Sequence, residues 1–163
     1  LYLKSNFNWK NQINKLNSFN QFQLEIENYQ IHFIHYKSSY KNAKPLLFLH
    51  GWPGSFWECH KILPMLTEPQ NYGGKIENSF HVICPSIPGY GYSSIPTENG
   101  FDQYKCAQIF SKLMLELNYS KYYIQGGDWG SVIGSLQASL PENYDRILGL
   151  HLNMVPVAFP FKK

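Results

Sequence analysis

The chain has 163 residues, the usual size of one domain, and 44% of them are apolar, enough for a core. Its net charge of +3 at pH 7 is carried by singly scattered lysines, which excludes the basic run of a nucleic-acid binder. The three cysteines, Cys59, Cys84 and Cys106, form no CxxC pair and are expected to be reduced, partly buried thiols, neither a disulfide frame nor a metal site.

The opening LYLKSNFNWK lacks the basic and apolar regions of a signal peptide. Trp9, Ile13 and Leu16 at helical spacing predict a short amphipathic helix over 9–17. Alternation over 22–27 and 30–37 predicts two strands of a hairpin, with Asn28-Tyr29 between them. The continuous apolar run 45-PLLFLH-50 is expected to be a strand buried on both faces. A helix pattern follows over 55–67, with Ser55 as its N-cap, then a surface loop over 68–79 and a strand over 80–86. A long loop, 87–100, leads to a helix over 101–118, a strand over 122–126, a small-residue helix over 131–140 stopped by Pro141, and a last strand over 147–154. The longest apolar stretch, 147–161, is interrupted by His151, Asn153, Pro156 and Pro160 and is too short to span a bilayer.

Strand and helix alternate from residue 45 onward, which predicts an α/β fold: a mostly parallel central sheet with helices on both faces and an antiparallel N-terminal hairpin at its edge. Residues 1–44 are expected to form the leading region with the hairpin, and 45–163 one continuous core unit. Ligands in such sheets sit at the carboxyl ends of strands, here at His50, Ser86 and Gly126.

The stretch 122-YYIQGGDWGSVIG-134 has the spacing of a nucleophile elbow, Gly-x-Ser-x-Gly, with Asp128 in the serine's place. Gly126 and Gly130 supply the small residues that a sharp strand-to-helix turn demands, with Gly127 between strand and nucleophile. The competing reading makes Asp128 an N-cap of the following helix. A carboxylate needs no base to be ionised at neutral pH, and the positive end of a helix favours its charge. It suits an sp³ carbon bearing a leaving group, such as an epoxide or alkyl halide, and the resulting ester has a carbonyl that water can attack.

In 50-HGWPGS-55, directly after a buried strand, a backbone N–H of Trp52 together with that of Trp129 would make an oxyanion hole, Gly51 and Pro53 shaping the turn. The alternative is a tight turn with Trp52 as packing. His50 is read as structural. The segment 88-PGYGYS-93 is read as a pocket-rim loop, because Ser94 stands where a dinucleotide fingerprint needs Gly. His32, His35, His60 and His81 show no metal-ligand spacing, and His151 is expected to be buried and hydrogen-bonded.

The runs 45-PLLFLHGWPGSFWE-58, 82-VICPSIPGYGYS-93, 122-YYIQGGDWGS-131 and 148-LGLHLNM-154, with 31-IHFIH-35 and the Trp9 helix, resemble the α/β-hydrolase fold epoxide hydrolases of the microsomal type, which include the juvenile-hormone epoxide hydrolases. The resemblance implies opening of a small apolar epoxide to a vicinal diol by water, through an ester on Asp128, with no metal, no other cofactor and no nucleic-acid partner. It implies a cis Trp52-Pro53 bond and oxyanion-hole N–H groups at Trp52 and Trp129. It further implies two tyrosines from a cap domain, a histidine and its acid partner that follow the last strand, and a membrane anchor upstream of Leu1 at the endoplasmic reticulum. The chain is therefore expected to be the N-terminal part of such an enzyme, without the cap and C-terminal strands and inactive alone. A haloalkane dehalogenase, which shares the aspartate elbow, and a non-catalytic remnant that binds small apolar molecules are the alternative readings.

Overall fold

In a computed structural model, Leu3 and residues 6–155 are described. A six-stranded sheet has the order β1-β2-β4-β3-β5-β6, where β1 is Gln21–Ile26, β2 Tyr29–Tyr36, β3 Lys44–Leu49, β4 Phe80–Pro85, β5 Tyr122–Gly126 and β6 Ile147–Leu152. β1 and β2 form an antiparallel hairpin, and β2 runs antiparallel to β4. β4, β3, β5 and β6 are mutually parallel. The expected architecture is thus the observed one.

The hairpin turn falls one residue earlier than expected. Glu27 and Asn28 take φ of 51° and 70°, the paired left-handed conformation of a two-residue hairpin turn. Tyr29 then opens β2 and packs into the core. Glu27 is held there by ion pairs with Lys105 and Lys112.

Four helices whose bounds fall within the described residues accompany the sheet: α1 (Trp9–Asn17), α2 (Leu63–Thr67), α3 (Gln103–Glu116) and α4 (Trp129–Ser139). The helix expected over 55–67 is two pieces. Ser55 does cap, accepting from the Trp57 N–H at 3.2 Å, but the turn it starts is a 3₁₀ turn ending at Cys59. α2 begins only at Leu63, because Pro64 has no N–H to continue a helix from residue 60 and is tolerated only in a first turn. α3 starts after Asp102, whose carboxylate accepts from the Lys105 N–H at 2.9 Å.

Alternation along the parallel strands divides the core. Leu47, Leu49, Ile83 and Ile124 pack under α3 and α4, joined by Phe110 and Leu113. Leu46, Val82 and Cys84 face the other side and meet Phe56, Cys59 and Leu63. Burial of both sheet faces removes apolar surface worth roughly 25 cal/mol per Å² from water. All three cysteines are buried and free, as expected.

The 87–100 loop is fastened to β2. The Ser93 hydroxyl donates to the Ser86 carbonyl at 2.7 Å, and the His32 N–H donates to Ser93 Oγ at 3.0 Å. The His32 ring bridges Ser86 Oγ at 2.8 Å and Gln21 Oε1 at 3.0 Å. Burial pushes the His32 pKa down to about 4. The His35 ring, against the Tyr119 hydroxyl at 2.9 Å, is pushed down to about 4 by burial, with Lys37 and His81 adding to the fall.

These two rings are neutral in the folded state and protonate more readily when unfolded, so the unfolded chain binds more protons between pH 6.5 and 4. Stability is expected to be fully present above pH 6.5 and to fall with pH through that window, by up to about 1.4 kcal/mol per pH unit for each histidine. Urea unfolding across pH 4–7 checks it: His32→Gln should flatten the slope by up to one histidine's share, and an unchanged slope would refute the assignment.

Candidate active site

β5 ends at Gly126 and α4 begins at Trp129, so the chain reverses from strand to helix across two residues. Asp128 sits at the apex with φ 49° and ψ −123°, a strained conformation for a residue with a side chain. Neighbouring elements enforce the turn. A Cβ on Gly130 would strike the backbone carbonyls of Leu49 and His50, and one on Gly126 would strike the Gly130 carbonyl. The Ser131 hydroxyl donates to the Gly126 carbonyl at 2.9 Å and the Gly127 N–H to the Leu49 carbonyl at 3.3 Å, tying the elbow to the ends of β5 and β3.

The Asp128 side chain does not cap α4. Its Oδ1 instead accepts a hydrogen bond from the Trp52 N–H at 2.6 Å. The two loops meet closely enough that a Cβ on Gly51 would occupy the space of the Asp128 side chain. Trp129 is the first residue of α4, so its N–H is one of the first-turn donors that lack an intrahelical acceptor. Asp128 is exposed, and Trp52 and Trp129 flank it with 67% and 42% of their surface open to solvent. The Trp52-Pro53 bond is cis, as the resemblance implied.

His50 is fully buried behind this loop. Its Nε2 accepts from the Ile87 N–H at 3.2 Å, which leaves Nδ1 to donate to the Gly51 carbonyl at 3.2 Å. One ring therefore joins the loop after β3 to the loop after β4, and burial lowers its pKa. The three strand ends expected to gather do so: Gly126 and His50 through the elbow and Trp52, and Ser86 through the neighbouring Ile87.

The family described as "alpha/beta hydrolase fold" matches residues 44–161, and that described as "Epoxide hydrolase N terminus" matches residues 1–59. The chain belongs to the α/β-hydrolase fold family. This α/β-hydrolase chain is 48% identical over 160 residues to "Epoxide hydrolase 1" of Sus scrofa, covering 96% of its own length and 35% of that protein. It is 41% identical over 163 residues to "Juvenile hormone epoxide hydrolase 1" of Ctenocephalides felis, covering 98% of itself and 34% of that protein. The crystal structure of juvenile hormone epoxide hydrolase from the silkworm Bombyx mori matches with a TM-score of 0.84 at 37% identity, covering 94% of this chain and 40% of that one. The resemblance read from the motifs is borne out. The chain spans about a third of the length of the curated relatives it matches.

Beside the elbow of this α/β-hydrolase chain lies a cavity of ≈ 130 Å³ bounded by Ile87, Pro88, Tyr90, Phe101, Trp129 and Ile133. The 87–100 loop thus forms its rim, as expected. A larger groove of ≈ 620 Å³ lies on the sheet face between α2 and β6, lined by Leu46, Phe48, Leu66, Tyr123 and Leu150. Asp128 does not line it, and its walls are core-type side chains, so the elbow and not the groove is the candidate site. His151, expected to be buried, lies at that groove and is exposed, with its ring against Gln125. β6 is the sheet's outermost strand among the described residues, and no described helix covers His151 there. No cluster of three or more His, Cys, Asp or Glu among the described residues is placed to hold a metal ion.

Glu58 was not anticipated. Its carboxylate fills the space a Cβ on Gly54 would need. Partial loss of solvent around its carboxyl raises its pKa from the ordinary value, the Gly51 backbone opposes the rise and the Asp128 charge adds to it. The available signal was a carboxylate four residues beyond Gly54, at the start of a helical turn.

Adding one methyl group at Gly130 tests the fit of the elbow. Gly130→Ala is expected to destabilise by about 1–3 kcal/mol, since backbone and not a flexible side chain must give way. Urea or thermal unfolding measures it, and an unchanged midpoint would contradict the packing.

Proposed function

We propose that this chain carries the nucleophile half of an epoxide hydrolase active site. One observation carries the reading: Asp128, at a strained strand-to-helix turn, leaves its own helix uncapped and accepts from the Trp52 N–H at 2.6 Å. That hydrogen bond occupies Oδ1 and leaves Oδ2 as the attacking atom. Oδ2 forms a bond to an epoxide carbon as the carbon–oxygen bond of the ring breaks. The leaving alkoxide takes a proton, a role for which the resemblance supplies two cap tyrosines.

The product is an ester whose carbonyl oxygen is Oδ1, already at the Trp52 N–H and next to the start of α4. Water, activated by the histidine and acid that the resemblance implies, adds to the ester carbon. Oδ1 then carries the negative charge of the tetrahedral intermediate, where the Trp52 and Trp129 N–H groups stabilise it; loss of one such donor typically costs 10²–10³-fold in rate. Collapse breaks the bond between the Asp128 carboxyl carbon and Oδ2. The diol leaves with Oδ2, and the water oxygen completes a new carboxylate.

The substrate is a small apolar epoxide, and the cavity at Trp129 and Ile133 offers its substituent an apolar wall. The similarity of residues 1–59 to an epoxide hydrolase N terminus favours an epoxide over an alkyl halide. On the resemblance alone, the full-length protein acts at the endoplasmic reticulum membrane; among the described residues no helix is long and apolar enough to cross one. Residues 1–163 alone are proposed not to turn over.

Full-length protein quenched during turnover of an epoxide should yield an Asp128 peptide heavier by the mass of the substrate, and Asp128→Asn should yield none. Diol formation by folded protein with no adduct would overturn the reading. An adduct with an alkyl halide but not with an epoxide would move it to the dehalogenase chemistry.

A further inference from the structure

The cavity beside the elbow is graded from floor to mouth. Ile87, Pro88, Cys106 and Ile133 are buried and close its inner end. Tyr90 and Phe101, both half-buried, stand above them with the exposed Trp129. The exposed Asp102 marks the solvent side.

Two features tie this space to the chemistry. Asp128 is not among the walls, but it immediately precedes Trp129, which is. Ile87 of the floor donates its N–H to the same His50 ring that holds the Gly51 carbonyl, one residue before Trp52. The cavity therefore begins one residue from the nucleophile and abuts the frame of the oxyanion-hole loop. With an epoxide carbon at Asp128, the reacting atoms stay outside the cavity and a substituent on that ring has the space beside it.

The floor suits an apolar group. None of its four side chains is charged, and the Asp102 carboxylate nearby accepts from the Lys105 N–H at 2.9 Å. Burial raises the Cys106 pKa, so its thiol stays neutral and packs as a small hydrophobe. A neutral thiol is also a poor nucleophile, so Cys106 does not compete with Asp128 for the epoxide. The volume sets a length. An apolar cavity of about 150 Å³ takes benzene, and on that scale ≈ 130 Å³ takes about five carbons.

We infer that this cavity is a substituent pocket that selects epoxides by the length of one apolar arm, accepting up to about five carbons, and that Cys106 and Ile133 set the limit. The inference rests on the reading of Asp128 as nucleophile and narrows its substrate class. Each methylene buried in the pocket favours reaction by about 4-fold, and carbons beyond its capacity gain nothing from it.

Full-length protein assayed with terminal epoxides bearing linear alkyl groups of roughly one to ten carbons tests the limit. The value of kcat/KM is expected to rise about 4-fold per carbon up to about five carbons and then to level off within about 2-fold. Ile133→Ala removes bulk from the floor and should move the level-off to about eight carbons. Cys106→Leu adds bulk there and should move it to about three. Each protein is compared with itself across the series, so a general loss of activity or stability in a variant does not imitate the shift.

A rise that continues through the whole series, no dependence on length, or a wild-type level-off more than about two carbons from five would overturn the inference. So would variants that level off where the wild type does. If one variant does not fold, the other decides: a shift in the stated direction supports the pocket and no shift refutes it. If neither folds, the wild-type profile decides alone. Absence of any Asp128 ester in the wild-type protein with every member of the series would instead defeat the nucleophile reading.

Discussion

The hydrogen bond from the Trp52 N–H to Asp128 joins residues 76 positions apart in the chain and fixes how two loops sit at the carboxyl end of the sheet. Everything around it serves that approach. β3 and β5 are adjacent and parallel, so the loops leaving Leu49 and Gly126 emerge side by side. Gly51 and Gly130 remove the side chains that would hold the two backbones apart, and Gly126 lets the elbow close on itself. The strain at Asp128 persists because the sheet, α4 and the neighbouring loop all determine its conformation together.

A second layer stands behind this contact. His50 spans from the Gly51 carbonyl to the Ile87 N–H, and the 87–100 loop is fastened in turn to β2 through Ser93, Ser86 and His32. The buried polar atoms along this path thus find partners, which rigidifies the rim of the cavity beside Trp129. On the proposed mechanism, the exposed Asp128 carboxylate exchanges bonding partners at Oδ2 while Oδ1 stays at the Trp52 N–H.

Much of this was legible in the sequence, for physical reasons. The alternation of apolar runs and helical stripes, with glycines at strand ends, specified a parallel sheet. The elbow spacing pointed to Asp128 because few other uses require small residues two positions away on both sides. The break in the 55–67 helix was also written in Pro64, whose missing N–H outweighed an apolar stripe of helical period. The Glu27-Asn28 turn was harder, since Glu rarely adopts positive φ and is held there by Lys105 and Lys112 from a distant helix. His151 was misjudged because alternation along β6 says which face a side chain takes but not whether that face is covered. Glu58 was overlooked although it stands four residues beyond Gly54, because that spacing does not say that its side chain turns back onto the loop.

The most direct measurement follows the oxygen atoms. In one turnover of full-length protein in ¹⁸O-labelled water, the expected product is unlabelled diol and an Asp128 carboxylate that has gained one ¹⁸O, because Oδ2 departs with the substrate. Labelled diol with an unlabelled Asp128 would mean that water attacks the epoxide directly and that the carboxylate held by Trp52 is not a nucleophile.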